Sequence, residues 1–546
     1  MAVLPDGRLL YWNGLEASEH APVYLMNEQW WAVENSRARI LELGSGGPRW
    51  SIPTEERGTT DEAQDIFGGA TKDIFGADQK LLYDGSVLLA GGIEWRYIDD
   101  GYGDQETRVF DPSTDTFRSV EPMQEARLAP TLVTLAGGKV LVAGGVRRAT
   151  PIPANADPAV SQVRLNELFD PSTATWEDAG VNGWSLPIYP RLHLLPDGTV
   201  FFGGAGEFWT PGGVAADQAT WSQQRIYDPE TRTWRLLGPS RYGARASAAS
   251  TLLRLEAPYD TADILIAGGT FGPQPGTWVG TTLSEVVRWT PDGLTNEDST
   301  KSPFAGLAGD ASQLRNLRWF GVPVMLPTGE VLLMNGGDGD DALYPGSAAG
   351  VRAVELYDPE TGTWQELAAS GRDRINHHVA VLLPDGRVLV GGHAPVPAHN
   401  HRHDNPLTRA SNYRDSTFEI YEPPYLFRGP RPVVSNVAPM GGGRGLRLTL
   451  GQHTGPGEIS EVVLVRTPSN THAVDADMRA VKLVHRTAGS TVIARLPKGG
   501  DGRIIPPGPY YVFALRNTPD GPVPSVAETI LIQPAGAPGD VVARSL

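Results

Sequence analysis

The sequence predicts an all-β molecule, a seven-bladed β-propeller followed by a smaller β-sandwich, and three observations predict it. A hairpin unit ending in Gly-Gly recurs along most of the 546 residues, and a second hairpin built on Asp-Pro recurs between its copies. Both patterns stop after Tyr425-Leu426-Phe427, and about 100 residues of short alternating strands follow, the length of one immunoglobulin-like sandwich. The composition agrees, since Gly 64 and Pro 46 are high for a helical chain and suit many short strands joined by tight turns.

The inner hairpins carry their turns at Pro5-Asp6-Gly7, Tyr83-Asp84-Gly85, Ala136-Gly137-Gly138, Pro196-Asp197-Gly198, a degenerate one near Tyr259-Asp260, Pro327-Thr328-Gly329 and Pro384-Asp385-Gly386. Asp-Gly between apolar runs predicts a two-residue turn, because both residues tolerate positive φ. Gly-Gly pairs follow at Gly91-Gly92, Gly144-Gly145, Gly203-Gly204, Gly268-Gly269, Gly336-Gly337 and Gly391-Gly392, where strands converge on an axis. The outer hairpins read aromatic-Asp-Pro-x-Thr-x-Thr-aromatic, as in Phe110-Asp111-Pro112 to Phe117, Phe169-Asp170-Pro171 to Trp176, Tyr227-Asp228-Pro229 to Trp234 and Tyr357-Asp358-Pro359 to Trp364. Two hairpins make a four-stranded blade, and the period of roughly fifty to seventy residues is that of kelch-like propellers. Seven inner hairpins predict seven blades over residues 1–428, an early-set immunoglobulin-like sandwich over 429–535 and a loose Gly/Ala/Pro-rich tail over 536–546.

The bulk numbers remove several function classes. Without cysteine there is no disulfide, thiolate metal site or cysteine nucleophile. A net charge of −17 argues against nucleic acid as a partner, and no transmembrane run is present. Met1 leads directly into a strand pattern with no signal peptide.

Several stretches go further. Arg374-Ile375-Asn376-His377-His378 runs into Leu382-Leu383-Pro384-Asp385-Gly386-Arg387, and the propeller exits through Ile420-Tyr421-Glu422-Pro423-Pro424-Tyr425-Leu426. Asn470-Thr471-His472-Ala473-Val474-Asp475 and Val523-Pro524-Ser525-Val526-Ala527 lie in the sandwich. In these motifs and in layout the chain resembles the galactose oxidase and glyoxal oxidase family of copper-radical oxidases over essentially its whole length. The resemblance implies copper held by two histidines and two tyrosines, one tyrosine being thioether-linked to a cysteine and carrying the radical. The histidine ligands fall on His377 and His472. The cysteine falls on Gly76, the cross-linked tyrosine on Ala129 and the axial tyrosine on Asn376, so the three redox positions are empty. A thioether needs a sulfur, and oxidase chemistry by that mechanism is excluded.

What survives is a concentration of histidines. With a two-residue turn at Asp385-Gly386, His378 faces His393, and the loop beyond it places His399, His401 and His403 on the rim of His377. Imidazole is the commonest transition-metal ligand, but short histidine-rich tracts are also common as solvated loops. No cofactor is therefore expected, with at most weak copper or zinc on His377 and His472 helped by His378, His393, His399, His401 or His403. Trp184, Tyr189, Trp209, Trp319 and Phe320 are candidate stacking surfaces for a sugar, although Trp319 and Phe320 read better as blade packing. The expectation is a non-catalytic binding or structural module for a glycan or protein ligand, outside the cell or at its surface. The alternative is an enzyme with a repurposed histidine metal site of hydrolase or lyase type.

Overall fold

The alternation of short apolar runs with glycine turns folds as seven blade sheets, with two further small sheets (Thr71–Asp73, Ile93–Tyr97, Asp100–Gly103 and Arg148–Thr150; Ala205–Gly206, Arg245–Ala246, Thr270–Phe271 and Val279–Gly280) and a sandwich following them. The computed structural model describes residues 1–12, 38–55, 71–97, 100–150, 161–206, 220–272, 277–297, 311–339, 348–393, 415, 417–440, 445–452, 454–488, 490–497, 502–534 and 541–544. Blade I contains Ala2–Val3, Leu9–Tyr11, Arg39–Gly44 and Gly47–Ser51, and blade II Asp78–Leu81, Val87–Ala90, Thr107–Asp111 and Thr116–Ser119, with Thr54–Glu55 on its outer edge. Blade III contains Thr131–Thr134, Val140–Ala143, Leu165–Asp170 and Thr175–Val181, and blade IV Leu192–Leu194, Val200–Phe202, Gln223–Asp228 and Thr233–Pro239. Blade V contains Ala249–Leu252, Ala262–Ala267, Ser284–Thr290 and Gly293–Glu297, and blade VI Val322–Met325, Val331–Met334, Val354–Asp358 and Thr363–Leu367. Blade VII contributes Val379–Leu382, Val388–Gly391 and Phe418–Tyr421 among the described residues.

The outer hairpins explain their own sequence repeat. Asp111 Oδ1 accepts the Ser113 N–H at 2.8 Å and the Ser113 hydroxyl at 2.7 Å, and Asp170 repeats this with Ser172. The two threonines bond each other at 2.8 Å in Thr114–Thr116 and at 2.7 Å in Thr173–Thr175. The aromatic pair is then directly cross-strand, with ring centroids 4.9 Å apart for Phe110–Phe117, 5.1 Å for Phe169–Trp176 and 5.3 Å for Tyr227–Trp234. Such pairs are the stabilising unit of a sheet.

The inner hairpins differ from expectation. Leu383 N–H bonds Arg387 O at 2.8 Å and Gly386 N–H bonds Leu383 O at 2.9 Å, so three residues rather than two lie between the last paired positions. Leu4 with Arg8, Leu82 with Ser86, Leu135 with Lys139, Leu195 with Thr199 and Leu326 with Glu330 repeat the arrangement. The glycine of each loop takes the left-handed conformation, with φ of 86° at Gly7 and 84° at Gly386. This is a type I turn with a glycine bulge, which Asp-Gly serves as well as it serves the shorter turn. The register is Val379↔Gly391, and continuing it brings His377, not His378, opposite His393.

In the sandwich, Val434–Met440, Gly445–Leu450 and Thr491–Arg495 form one half, and Glu461–Arg466, Gly508–Thr518, Gly521–Pro524 and Glu528–Ile532 the other. The long strand Ala480–Ala488 pairs with both halves. Val541–Arg544, placed in a loose tail by its composition, pairs with Glu528–Ile532 and closes that edge. Residues 467–479 leave the sandwich and enter the propeller axis. Val3 N–H bonds Pro468 O at 3.0 Å, Leu255 N–H bonds Ala480 O at 2.9 Å, and Arg479 donates to Leu194 O.

Candidate functional site

The inner strands share a backbone device where they begin. Gly76, Ala129, Tyr189, Phe320 and His377 each lie nine residues before the turn glycine of their blade, and all have positive φ, as does Ser247 in blade V. Their amides link neighbouring blades around the axial mouth: Ala129 N–H to Gly76 O at 2.8 Å, Tyr189 N–H to Ala129 O at 2.8 Å, and Phe320 N–H to Ser247 O at 3.2 Å. A positive φ at residues other than glycine carries strain that only an over-determined surrounding maintains. Blades II to VII thus place one residue each at a common position.

Into this mouth comes His472, on a tight turn closed by Thr471 N–H to Val474 O at 3.0 Å and by the reverse bond at 2.7 Å. Its ring meets His377 edge-on with centroids 4.9 Å apart, so residues from the two sheet systems stand side by side. Both are half-buried. Thr471 Oγ1 lies 2.9 Å from His472 Nδ1, leaving Nε2 to face inward, where Tyr189 Oη lies at 3.5 Å. The Tyr189 ring stacks on His472 at 4.2 Å with an interplanar angle of 20°. Phe75 packs against both histidines, at 5.4 Å from His377 and 5.7 Å from His472, and Phe320 closes another side at 6.3 and 6.4 Å. Burial, then the neighbouring His377, then Arg191 hold the His472 imidazole well below its usual pKa, so it is neutral at pH 7.

Arg191 fixes this arrangement from behind, donating to Tyr189 O at 2.8 Å and to His472 O at 3.3 Å. Asn376 is fully buried, and neither of its amide atoms has a hydrogen-bond partner within the protein. The space beside Gly76 is occupied: a Cβ built there meets Leu128 Cδ1 at 2.1 Å. Leu128 fills that space.

The other sequence candidates lie elsewhere. His378 is fully buried against Phe320, with centroids 5.8 Å apart and neither ring nitrogen hydrogen-bonded. His393 is buried with Nδ1 3.2 Å from the N–H groups of Ile375 and Asn376, which ties it to the backbone. His399, His401, His403 and Trp209 lie outside the described residues. No group of three or more His, Cys, Asp or Glu suited to a metal ion occurs among the described residues. Among the described residues, the candidate aromatic faces are taken up by packing. Trp319 is 1% exposed and Phe320 and Tyr189 3%, so their faces are spent on packing. Trp184 is covered by the Arg225 guanidinium at 3.5 Å and abuts Trp234 at 5.6 Å. Phe75 and Arg191 carry no signal in the sequence, because only folding brings them to the histidines, whereas Thr471 adjoins His472 in the chain.

The family model described as Glyoxal oxidase N-terminus matches residues 69–425, and that described as Galactose oxidase-like, Early set domain matches residues 431–532. An aldehyde oxidase of Vitis pseudoreticulata is 27% identical over 490 residues, covering 85% of this chain and 82% of its own. A galactose oxidase of Gibberella zeae is 24% identical over 471 residues, covering 84% of this chain and 61% of its own, so this chain spans about three fifths of that relative's length. Among solved structures, a fungal alcohol oxidase in complex with copper covers 97% of this chain and 96% of its own with a TM-score of 0.69 and 18% identity, a likeness of fold. The expectation of no cofactor is overturned here, since a protein sharing this fold over nearly the whole chain carries copper.

Proposed function

Because the chain belongs to the glyoxal oxidase family, whose model matches residues 69–425, we propose that it is a copper-holding member of that family working without a thioether-linked tyrosyl radical. His377 and His472 hold the metal in this reading. The observation that carries it is their side-by-side placement, rings 4.9 Å apart, in a mouth where the three redox positions are Gly76, Ala129 and Asn376. Imidazole nitrogens suit copper, and the buried amide of Asn376, next to His377 in the chain, has no hydrogen-bond partner within the protein. The radical half does not fit, because the chain has no sulfur at that place and Leu128 fills the space.

Copper bound there supplies a Lewis-acidic centre capable of one-electron exchange. Thr471 holds the Nδ1 side of the His472 ring, and Arg191 holds its backbone. Phe75 and Phe320 narrow the access of water to both rings. Lacking an organic radical as second electron store, the protein serves as a copper-binding module rather than a two-electron oxidase, in keeping with the extracellular or cell-surface setting that the family resemblance implies.

The test is copper(II) titration of the purified protein followed by electron paramagnetic resonance. One copper per chain with imidazole nitrogen coupling is expected, lost in the His377→Ala/His472→Ala variant. No peroxide is expected with galactose, methylglyoxal or simple alcohols. Sustained copper-dependent peroxide release, or copper that survives the double substitution, would sink the reading.

A further inference from the structure

Two imidazoles alone are a poor cage, since a firmly held zinc or copper ordinarily has at least three protein ligands. We propose that Tyr189 is the third ligand, as a phenolate, so that the phenol of this site comes from blade IV and from a position the resemblance does not assign to the metal. The inference rests on the copper reading above and goes beyond it in naming the donor.

Three observations carry it. Tyr189 Oη lies 3.5 Å from His472 Nε2, close to the ~3 Å that separates two donors bound at ~2 Å to one ion. Among Gly76, Ala129, Tyr189, Ser247, Phe320 and His377, which share the same left-handed backbone position around the mouth, Tyr189 and His377 alone bring a nitrogen or an acidic hydroxyl suited to a transition metal. Arg191 grips the carbonyls of both Tyr189 and His472, so the two donors are held to one another by a single buried guanidinium.

Binding balances simply. The phenol O–H breaks, the oxygen lone pair bonds the copper(II), and the proton leaves to solvent, with no change of oxidation state. Tyr189→Phe keeps the stacked ring and removes only the oxygen, so the fold is expected to survive.

The experiment titrates the full chain and the Tyr189→Phe variant with copper(II) sulfate, reading visible absorption, affinity and proton release. Wild type is expected to develop a phenolate-to-copper charge-transfer band and to release one more proton per copper than the variant. Tyr189→Phe is expected to lack the band and to bind copper about 10- to 100-fold more weakly, at least the loss seen when a supporting group of a metal site is removed. Wild-type copper without the band, or identical spectra and affinities in the two proteins, overturns this proposal and leaves the histidine pair standing. Wild type that takes up no copper overturns both.

Discussion

At position 378 an imidazole is completely enclosed with neither ring nitrogen hydrogen-bonded, and burial, then His393, then Arg374 hold its pKa well below the usual value. An unpaired buried polar group costs more than an apolar one of similar shape, so His378→Leu is expected to be neutral or to stabilise by about 1 kcal/mol. Chemical denaturation checks it, and copper stoichiometry is expected to stay as in wild type because His378 is not one of the proposed ligands. Gly76 is the opposite case. Its φ of 81° and the 2.1 Å that would separate a Cβ there from Leu128 Cδ1 mean that Gly76→Cys forces Leu128 aside. Rebuilding the radical site through Gly76→Cys, Ala129→Tyr and Asn376→Tyr is therefore expected to give a thioether signal with copper only when Leu128→Ala is added. A signal of equal strength with Leu128 intact would show that the leucine yields freely. The positions that the resemblance leaves without redox residues are legible in the sequence, whereas the leucine that fills the space beside Gly76 is not, because their contact crosses from one blade to the next.

The inner hairpin shows where sequence reading stops at the level of the element. Its existence, place and seven-fold recurrence are legible from Asp-Gly between apolar runs, and so is its outer companion. Its register is not, since the same dipeptide serves a two-residue turn and the three-residue turn observed, and one residue of slip carries each side chain to the other face. That slip separates the expected pairing of His378 with His393 from the observed one. The adjacent glycines of blade III test the observed turn. Gly138 has φ of 86° and a Cβ there would lie 3.2 Å from Tyr83 Cδ1, whereas nothing lies within 4 Å of a Cβ on Gly137. Gly138→Ala is expected to cost about 1–2 kcal/mol, and Gly137→Ala to be neutral or slightly stabilising. Equal effects in urea unfolding would refute the bulged geometry.

Across the whole molecule, a buried charge network ties the sandwich to the propeller. Asp477 accepts from Thr134 N at 2.8 Å and pairs with Arg466 at 3.1 Å, Arg466 donates to Leu81 O at 3.2 Å, and Lys80 pairs with Asp78 at 3.3 Å. Removing one partner of such a pair leaves an uncompensated buried charge, so Asp477→Ala is expected to cost about 3–5 kcal/mol in thermal or denaturant unfolding. Beside it, burial raises the Asp475 carboxyl to about 6, with Lys80 opposing the shift and Asp477 adding to it. A raised carboxylate pKa means that the folded chain holds a proton the unfolded chain has lost between about pH 4 and 6. The Asp475 contribution to stability is thus full below that window and lost as pH rises through it. Asp475→Asn is expected to gain stability relative to wild type over this range, and parallel stability curves would show that the carboxyl is not protonated in the fold. The positive-φ positions around the mouth have a wider consequence. They act as interchangeable sockets on a rotary frame, each offering a different blade's side chain to the same small volume. A substitution at a socket whose neighbours leave room changes the group offered to the mouth without altering the strands beneath it, whereas at Gly76 Leu128 must first give way.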